Sequence, residues 1–193
     1  DDLDASFAAR GSDDAILDAA VDFTAEASFL VARTMDHRVA HYPASLNTHK
    51  NGILAQSVAP AAISENLVTS GQKAVQRLAE AMKLVGMLTL ETFITTDGKL
   101  LFNEIAPRPP NSFHWTIEGC ATSQFTQLAR CLAGMALGST QNYGKWQMDN
   151  VLGEDILGLA DLAEVPGLHL HLYGKSSATT GRKMGHTNRL IAN

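Results

Sequence analysis

The sequence predicts an α+β fold, with an antiparallel sheet and packed helices followed by a small β-rich C-terminal domain. The clearest observation is Asp97-Gly98 between two apolar runs, one of the strongest two-residue signals for a β-hairpin. The second is the recurrence of apolar residues at three- and four-residue spacing over 64–84 and again over 122–137, as in amphipathic helices. The third is a change beyond these helices to short strands, which is typical of a separate, smaller unit.

The composition is that of a globular protein. The chain has 193 residues, of which 45% are hydrophobic and 18% are charged, and these values favour a buried core. The net charge of −5 argues against nonspecific nucleic-acid binding, which needs clustered Lys and Arg. No apolar run approaches a membrane span of about 18 residues, and Cys120 and Cys131 are too few for a disulfide framework. We therefore expect a cytoplasmic protein with no nucleic-acid partner and no membrane partner.

The first domain is placed at residues 1–140 and begins with a helix and three short strands. These elements are expected at about 2–9, 15–21, 27–33 and 38–42, with a turn at Asp36-His37. The segment from Asn47 to Gly52 is predicted to be a loop with an Asn-Gly turn signal at its end. Ser64 is a suitable N-cap for the helix over 64–84, and Gly86 marks the end of that helix.

The third helix is predicted over 122–137, with Ser123 or Thr122 as its N-cap. Its apolar face consists of Phe125, Leu128, Ala129, Leu132 and Met135. The second domain is placed at residues 141–193 and contains short strands around an acidic segment. The strands are expected at about 146–152, 168–173 and 187–191.

The predicted hairpin gives the most informative local geometry. A two-residue loop at Asp97-Gly98 fixes a register that opposes Phe93 to Phe102 and Glu91 to Glu104. Facing carboxylates repel each other and favour a cation between them. Oxygen-only ligands indicate Mg²⁺, which completes its shell with water and phosphates. The alternative is a solvated face where each acid is hydrated, but the two phenylalanines on that face favour burial.

Two further segments carry polar groups in patterns that suit a site. Residues 103–120 read NEIAPRPPNSFHWTIEGC, and the three prolines predict a stiff, extended loop. Lys175, Arg182 and Lys183 lie around two glycines, and basic side chains on such turns suit a phosphate. A solvated basic loop explains the second pattern equally well.

Two other polar patterns have structural explanations. Glu26 and Ser28 alternate with apolar residues, which predicts a strand whose polar face is solvated unless a cleft lies there. His169 and His171 share one face of a strand and suit a metal. Because no third ligand with suitable spacing is evident, we assign these two histidines a structural role.

The two long motifs resemble a known family. The run NEIAPRPPNSFHWTIEGC, the following TSQF, and the terminal YGK and GRKMGH are similar to those of 5-(carboxyamino)imidazole ribonucleotide synthetases, ATP-grasp ligases of purine biosynthesis. The resemblance extends from about Leu17 to Leu190. It implies the C-terminal part of an ATP-grasp fold, with ATP and Mg²⁺ as cofactors and a homodimeric assembly. The implied reaction is the carboxylation of aminoimidazole ribonucleotide by bicarbonate, driven by ATP through carboxyphosphate.

The resemblance also implies roles for residues of the first motif. Glu91 and Glu104 correspond to the Mg²⁺ ligands, and Asn103 lies beside the metal and the nucleotide phosphates. Arg108 resembles the arginine that holds bicarbonate or carboxyphosphate, a role that suits a planar guanidinium. The other residues expected in this pocket are Asn111, Ser112 and His114, of which Asn111 and His114 are expected to be catalytic.

Nucleotide and substrate phosphate are expected at other matching positions. Asp18 and Val21 belong to the segment that corresponds to the adenine hinge. Glu26 is similar to the acid that binds the nucleotide ribose, and His49 is similar to a nucleotide-site histidine. The residues that resemble the clamp on the 5′-phosphate of the ribonucleotide are Lys175, Arg182 and Lys183.

The sequence departs from the family pattern at three places. Residues 18–21 read DAAV where the family has Glu and a bulky pair, Pro110 replaces a histidine, and Phe113 replaces a glycine. The phenyl ring is expected to obstruct a backbone approach to the ligand. The N-terminal domain and glycine-rich loop of the family precede the matching region, so we expect an incomplete portion that is inactive alone. The alternative hypothesis is a noncatalytic ATP-grasp remnant that folds, dimerises and binds nucleotide weakly or not at all.

Overall fold

The computed structural model describes residues 3–9 and 19–192, and within them nine strands form one antiparallel sheet. The strands are β1 (Phe23–Arg33), β2 (Val39–His41), β3 (Ser45–Lys50), β4 (Ile53–Ala59), β5 (Gly86–Thr95), β6 (Leu100–Ala106), β7 (Lys145–Leu152), β8 (Leu168–Leu172) and β9 (Lys183–Ala192). Their order is β6-β5-β1-β3-β4-β7-β9-β8, and β2 pairs with β1. Pairing of β4 with β7 joins the strands of the two predicted domains into this sheet.

The described residues also form five helices. They are α1 (Leu3–Ala9), α2 (Glu65–Ala81), α3 (Thr116–Gly119), α4 (Gln124–Leu132) and α5 (Leu159–Ala163), with 3₁₀ segments at Asn111–Phe113 and Gly153–Gly158. None of the helices described in the structure is long and apolar enough to cross a membrane. The predicted α+β fold is confirmed, as is the N-cap of α2, where Ser64 Oγ accepts from Leu67 N.

The two faces of the sheet bury different sets of apolar residues. On one face α2 packs Val75 and Ala79 against the strands, and a Cβ on Gly71 would clash with the ring of Phe29. On the other face a second cluster surrounds Tyr42 and Trp115. This second cluster lies under the loop that follows β6, and it therefore supports the segment with the candidate site residues.

The loop of the hairpin differs from the prediction. It has three residues and ends at Gly98, whose φ is 74° and whose N–H donates to Thr95 O at 2.9 Å. Phe93 therefore pairs with Leu101, and the predicted pairing with Phe102 is wrong. A glycine in the left-handed conformation allows the loop to take one more residue than a two-residue turn.

A β-bulge then restores the predicted register at the carboxylates. The shift lies between Glu91 and Thr92, and beyond it Glu91 pairs with Glu104. The burial argument from the phenylalanines fails, because Phe102 is 60% exposed. The pairing of the two acids is nevertheless as predicted, since the longer loop and the bulge shift the register in opposite directions.

The face assigned to the helix over 122–137 is wrong except at Leu128, which packs against the core, and Ser123 is its N-cap as predicted. Its buried residues are Gln124, Gln127 and Cys131, whereas Phe125, Leu132 and Met135 are exposed. The buried amides bond distant backbone: Gln124 Nε2 donates to Pro110 O at 3.0 Å, and Gln127 Nε2 donates to Gly138 O at 2.9 Å. The helix therefore anchors two loops through its inward side chains, and it ends at Leu132.

Three other predicted segments also need correction. The predicted loop over 47–52 is instead the end of β3, and only Asn51 and Gly52 form a turn, both with positive φ. Of the predicted strand at 15–21, residues 15–18 lie outside the described residues, and 19–21 are not in a strand. The strand that follows begins at Phe23, earlier than predicted, and is 11 residues long.

Candidate active site

Polar side chains occupy one face of the central strands. Ser28 on β1 pairs with Glu91 on β5, and Glu26, two residues earlier, projects from the same face. Asn47 Nδ2 donates to Ser28 Oγ at 2.6 Å, and Ser57 Oγ donates to Asn47 Oδ1 at 2.8 Å. These bonds satisfy polar groups that would be costly to bury without partners.

This polar face adjoins a cavity of about 460 Å³. Its walls are the β3–β4 hairpin, the end of the β5–β6 pair that carries Glu91 and Glu104, the loop after β6, and the segments before and at the start of β9. The polar and charged residues that line it are His49, Glu91, Glu104, Arg108, Asn111, Ser112, Lys175 and Lys183. Residues from both long sequence motifs therefore meet in one cavity, although more than 60 positions separate Asn111 from Lys175 in the chain.

The charges in the cavity perturb one another. Burial, and after it the carboxylate of Glu104, raises the pKa of Glu91. Burial lowers the pKa of Lys183, and the Glu91 carboxylate acts in the opposite direction. A carboxylate pair beside cationic side chains is the kind of arrangement that occurs at ligand sites.

The carboxylate pair fits a magnesium ion by its donor chemistry. Both side chains offer oxygen, and the ion prefers oxygen ligands. A positive charge between Glu91 and Glu104 would also relieve the repulsion that raises the pKa of Glu91. Within residues 3–9 and 19–192, no cluster of three or more His, Cys, Asp and Glu side chains could hold a metal. Bound Mg²⁺ would therefore need water or substrate phosphates to complete its shell.

A third acid, Glu26, approaches the cavity from β1. Glu26 Oε2 lies 2.5 Å from His49 Nδ1, and both residues interact electrostatically with Glu91. The strand carries Glu26 on the same face as the carboxylate pair, so the polar face of β1 borders a cleft. The arrangement gives His49 a fixed orientation in the cavity wall.

The loop after β6 directs its first residues to the cavity and its later residues to the core. Arg108, Asn111 and Ser112 line the cavity, whereas Phe113 is fully buried in the core beneath it. The ring of Phe113 lies 6.3 Å from that of Trp115. The expected obstruction by Phe113 is therefore wrong, because its side chain fills the core and does not line the cavity.

The comparison with known families agrees with this geometry. The family model described as ATP-grasp domain matches residues 2–125, which is more than half of the chain. The chain belongs to the ATP-grasp family. A second model, described as phosphoribosylaminoimidazole carboxylase C-terminal domain, matches residues 147–193 of this ATP-grasp chain. The resemblance predicted from the two motifs is confirmed.

Curated relatives of the ATP-grasp chain extend well beyond it. It is 43% identical over 185 residues to the N5-carboxyaminoimidazole ribonucleotide synthase of Brucella melitensis, covering 96% of this chain and 51% of the relative. It is 39% identical over 172 residues to the corresponding synthase of Bacillus subtilis, covering 89% of this chain and 45% of the relative. The chain spans about half the length of the curated relatives it matches.

Solved structures share the fold of the ATP-grasp chain. The N5-carboxyaminoimidazole ribonucleotide synthetase of Thermus thermophilus has a TM-score of 0.83 at 43% identity, covering 90% of this chain and 48% of that one. The synthase of Aspergillus clavatus in complex with ADP and 5-aminoimidazole ribonucleotide has a TM-score of 0.85 at 28% identity, with the same coverage of both chains. The similarity therefore extends over most of the ATP-grasp chain and about half of each relative.

The structure places His114 behind the cavity and not in its wall. Its Nδ1 lies 2.8 Å from Gln124 Nε2, and its ring stacks on His186 at 4.5 Å and on Phe125 at 5.5 Å. Burial, with the positive charge of Lys183 as the next cause, lowers the pKa of His114 to about 4. His114 is therefore neutral at neutral pH and supports the loop from the interior of the ATP-grasp chain.

The remaining predicted site residues lie in different surroundings. Asn103 is an exposed residue of β6 beside the bulge and is not among the residues that line the cavity. Arg182 points elsewhere, since its Nη1 donates to Ser177 Oγ at 2.5 Å. Val21 precedes β1 and is half-buried outside the cavity wall, and Asp18 lies outside the described residues.

His171 is assigned a structural role from the sequence, but Glu118, His186 and Asn188, which support the site together with it, were missed. Glu118 Oε1 accepts from His171 Nε2 at 2.7 Å, and Asn188 Nδ2 donates to Glu118 Oε2 at 2.6 Å. The ring of His171 also stacks on His186 at 4.6 Å. The only signal for this group was that Glu118 and His186 lie in the two family motifs, because the partners of Glu118 are 53 and 70 positions away in the chain.

Proposed function

We propose that this chain is part of an ATP- and Mg²⁺-dependent ligase that carboxylates 5-aminoimidazole ribonucleotide with bicarbonate to 5-(carboxyamino)imidazole ribonucleotide. The observation that carries the proposal is the single cavity in which Glu91 and Glu104 face Arg108, Lys175 and Lys183. A paired carboxylate suits a metal with its phosphates, and the cations suit anionic substrates. The named activities of the curated relatives support this choice of reaction.

Each side of the cavity has a proposed task. Glu91 and Glu104 would hold Mg²⁺, which neutralises phosphate charge during phosphoryl transfer. Arg108 would hold bicarbonate or carboxyphosphate through its planar guanidinium, and Asn111 beside it would orient the same anion. Because cations placed before the reaction need no rearrangement when charge develops, the cavity can stabilise that charge.

The substrate phosphate is proposed to bind at the opposite wall. Lys175 and Lys183 both line the cavity there, together with Gly181, whose φ is 73°. A glycine in this conformation allows a close approach of the backbone to an anion. Arg182, predicted for the same clamp, would have to break its bond to Ser177 in order to join it.

Nucleotide is proposed to enter from the side of β1 and β3. Glu26 would accept hydrogen bonds from the ribose hydroxyls, and His49 bonded to it would face the nucleotide. Val21 precedes β1, and we keep Asp18 and Val21 as proposed hinge contacts for adenine. We also propose a homodimeric, cytoplasmic protein with no nucleic-acid or membrane partner, in keeping with the acidic composition.

The noncatalytic alternative is favoured by one observation in the cavity. Pro110 lines the wall, and a proline offers neither a side-chain donor nor a backbone N–H where the family has a histidine. Phe113 does not support the alternative, because its ring lies in the core and does not obstruct the ligand. A binding measurement separates the two functions.

The proposed metal–nucleotide site can be tested by calorimetry on the 193-residue chain. We expect Mg²⁺ and ADP together to bind, and Glu104→Gln to weaken that binding by at least about ten-fold, since one charged ligand of the metal is lost. Glu164→Gln is the matched control, because Glu164 is an exposed acid at the C-cap of α5. Absence of binding, or equal binding by the Glu104 variant, would favour the noncatalytic remnant.

Catalysis needs a separate test, because the chain spans about half of its relatives. We expect no ADP formation from ATP by the chain alone. Supplying the N-terminal half of the Brucella melitensis synthase in trans should give ADP formation that requires both the ribonucleotide and bicarbonate. Turnover by the chain alone would contradict the proposal that this chain provides only part of the catalytic site.

A further inference from the structure

Tyr173 lies just after β8 and contacts both the basic end of the cavity and the interior. Its backbone N–H donates to Met184 O at 2.9 Å, which holds it against β9. Lys175 Nζ lies 5.8 Å from the centre of the Tyr173 ring and donates to Lys183 O at 2.5 Å. The ammonium group that lines the cavity is therefore held between an aromatic face and a carbonyl oxygen.

The Tyr173 ring is itself fixed from the interior. Its Oη lies 2.9 Å from His186 Nδ1, and His186 is only 2% exposed. The His186 ring lies between those of His114 and His171, at centroid distances of 4.5 and 4.6 Å. Because His186 is packed on both faces, its bond to Tyr173 fixes the direction in which the tyrosine ring points.

This hydrogen bond is present at neutral pH. Burial lowers the pKa of His186 to about 3, so the imidazole is neutral. Burial raises the pKa of Tyr173 to about 12, so the phenol keeps its proton. The pair therefore holds the ring without adding a charge next to Lys175.

We propose that Tyr173 is the positioning residue of Lys175, and that it prepares the lysine for the phosphate monoester of the substrate. The ring supports the ammonium group by a cation–π contact, and the bond to His186 fixes the ring. A free lysine side chain loses rotamer entropy when it binds an anion, and a lysine held in advance loses less. This inference rests on the proposed function, which places the substrate phosphate at Lys175.

The test is titration of the 193-residue chain with ribose 5-phosphate, followed by heteronuclear NMR. Tyr173→Leu should weaken binding by about two- to five-fold, as expected for loss of a partly exposed cation–π contact. Tyr173→Phe retains the ring but loses the hydrogen bonds of the hydroxyl to His186 and to the Asn111 side chain, and it should have an intermediate affinity. Tyr143→Leu is the matched control, because Tyr143 is 53% exposed and does not line the cavity.

A double-mutant cycle separates positioning from a structural role. In a Lys175→Ala background, Tyr173→Leu should cause no further loss of affinity, since the lysine that it positions is gone. An equal loss in both backgrounds would overturn the inference, and so would unchanged binding by Tyr173→Leu. The NMR spectra also report folding, and Tyr173→Phe provides the test if the leucine variant does not fold.

The result for Lys175→Ala alone distinguishes failure of the proposed phosphate site from failure of the positioning role of Tyr173. If this variant binds ribose 5-phosphate more weakly than the wild type while Tyr173→Leu does not, the phosphate site stands and the positioning role fails. If the wild type does not bind, or if Lys175→Ala binds equally well, the phosphate site fails and the role of Tyr173 fails with it.

Discussion

The two sides of the loop after β6 differ in what holds them. On the cavity side Arg108 Nη1 donates to the neighbouring Pro109 O at 3.1 Å, and the guanidinium is exposed. On the inner side Phe113 and Trp115 are fully buried, and Trp115 Nε1 donates to Ser45 Oγ at 2.9 Å. The comparison shows that the inner residues fix the loop, so that the outer residues remain available for a ligand.

The largest effect is expected from the inner side. Trp115→Ala should lower the free energy of unfolding by about 3 to 5 kcal/mol, because it leaves a large cavity and removes the partner of Ser45. Urea unfolding followed by circular dichroism measures this loss. The matched control is Phe102→Ala on β6, since Phe102 is 60% exposed and should change stability by no more than about 0.5 kcal/mol.

A loss in Trp115→Ala no larger than in Phe102→Ala would contradict the comparison. Arg108→Ala tests the cavity side of the loop. Because Arg108 is exposed, its substitution should leave the urea midpoint close to that of the wild type. A marked destabilisation by Arg108→Ala would show that the cavity side of the loop also stabilises the fold.

The next effect concerns pH and the buried His114. Its pKa in the folded chain is about 4, below the ordinary value of 6.5, so the unfolded chain takes up a proton first on acidification. Stability should therefore be fully present above pH 6.5 and fall towards pH 4. His114→Phe should reduce this loss by on the order of 3 kcal/mol. Urea unfolding at a series of pH values measures the slope, and identical slopes in both proteins would contradict the prediction.

A smaller effect of opposite sign is expected at the carboxylate pair. The pKa of Glu91 is raised by burial and by Glu104, so the folded chain binds this proton more tightly than the unfolded chain. Its contribution to stability therefore falls as pH rises above the ordinary value of 4.5. Glu91→Gln should be more stable than the wild type at pH 7 by about 0.2 to 1 kcal/mol, as for removal of a facing like charge.

The stability of Glu91→Gln is measured by urea unfolding without metal, at pH 4 and pH 7. The advantage over the wild type should disappear at pH 4, where the wild-type carboxyl group takes up its proton. An advantage of equal size at both pH values would show that the charge of Glu91, buried and facing Glu104, is not its cause.

The hairpin that carries the carboxylate pair could be predicted because local turn chemistry is strong. Asp97-Gly98 placed the hairpin, and Glu91 pairs with Glu104 as predicted. The predicted register is wrong near the loop, because the choice between a two- and a three-residue loop depends on the conformation of Gly98. The bulge that restores the register has no clear sequence signal, so the agreement at Glu91 depended on two compensating shifts.

The support behind the cavity could not be predicted, because its partners are distant in the chain. Helical periodicity assigns apolar residues to the inner face of α4, but Gln124 and Gln127 occupy that face because they bond loop carbonyls. In the same way, His171 pairs with Glu118 from another element. Such contacts need the tertiary arrangement, whereas the family resemblance could only indicate which residues to look for.

The smallest effect is expected from Arg182→Ala at the basic wall of the cavity. Lys183 lines the cavity, whereas Arg182 donates to Ser177 Oγ at 2.5 Å outside it. In the ribose 5-phosphate titration, Lys183→Ala should therefore weaken binding by about ten-fold, as for the loss of a charge-assisted hydrogen bond. Arg182→Ala should change it by less than about two-fold, as expected for a more distant, screened charge. If both variants lose affinity equally, the arginine leaves Ser177 when phosphate binds, and the clamp then includes all three basic residues predicted from the sequence.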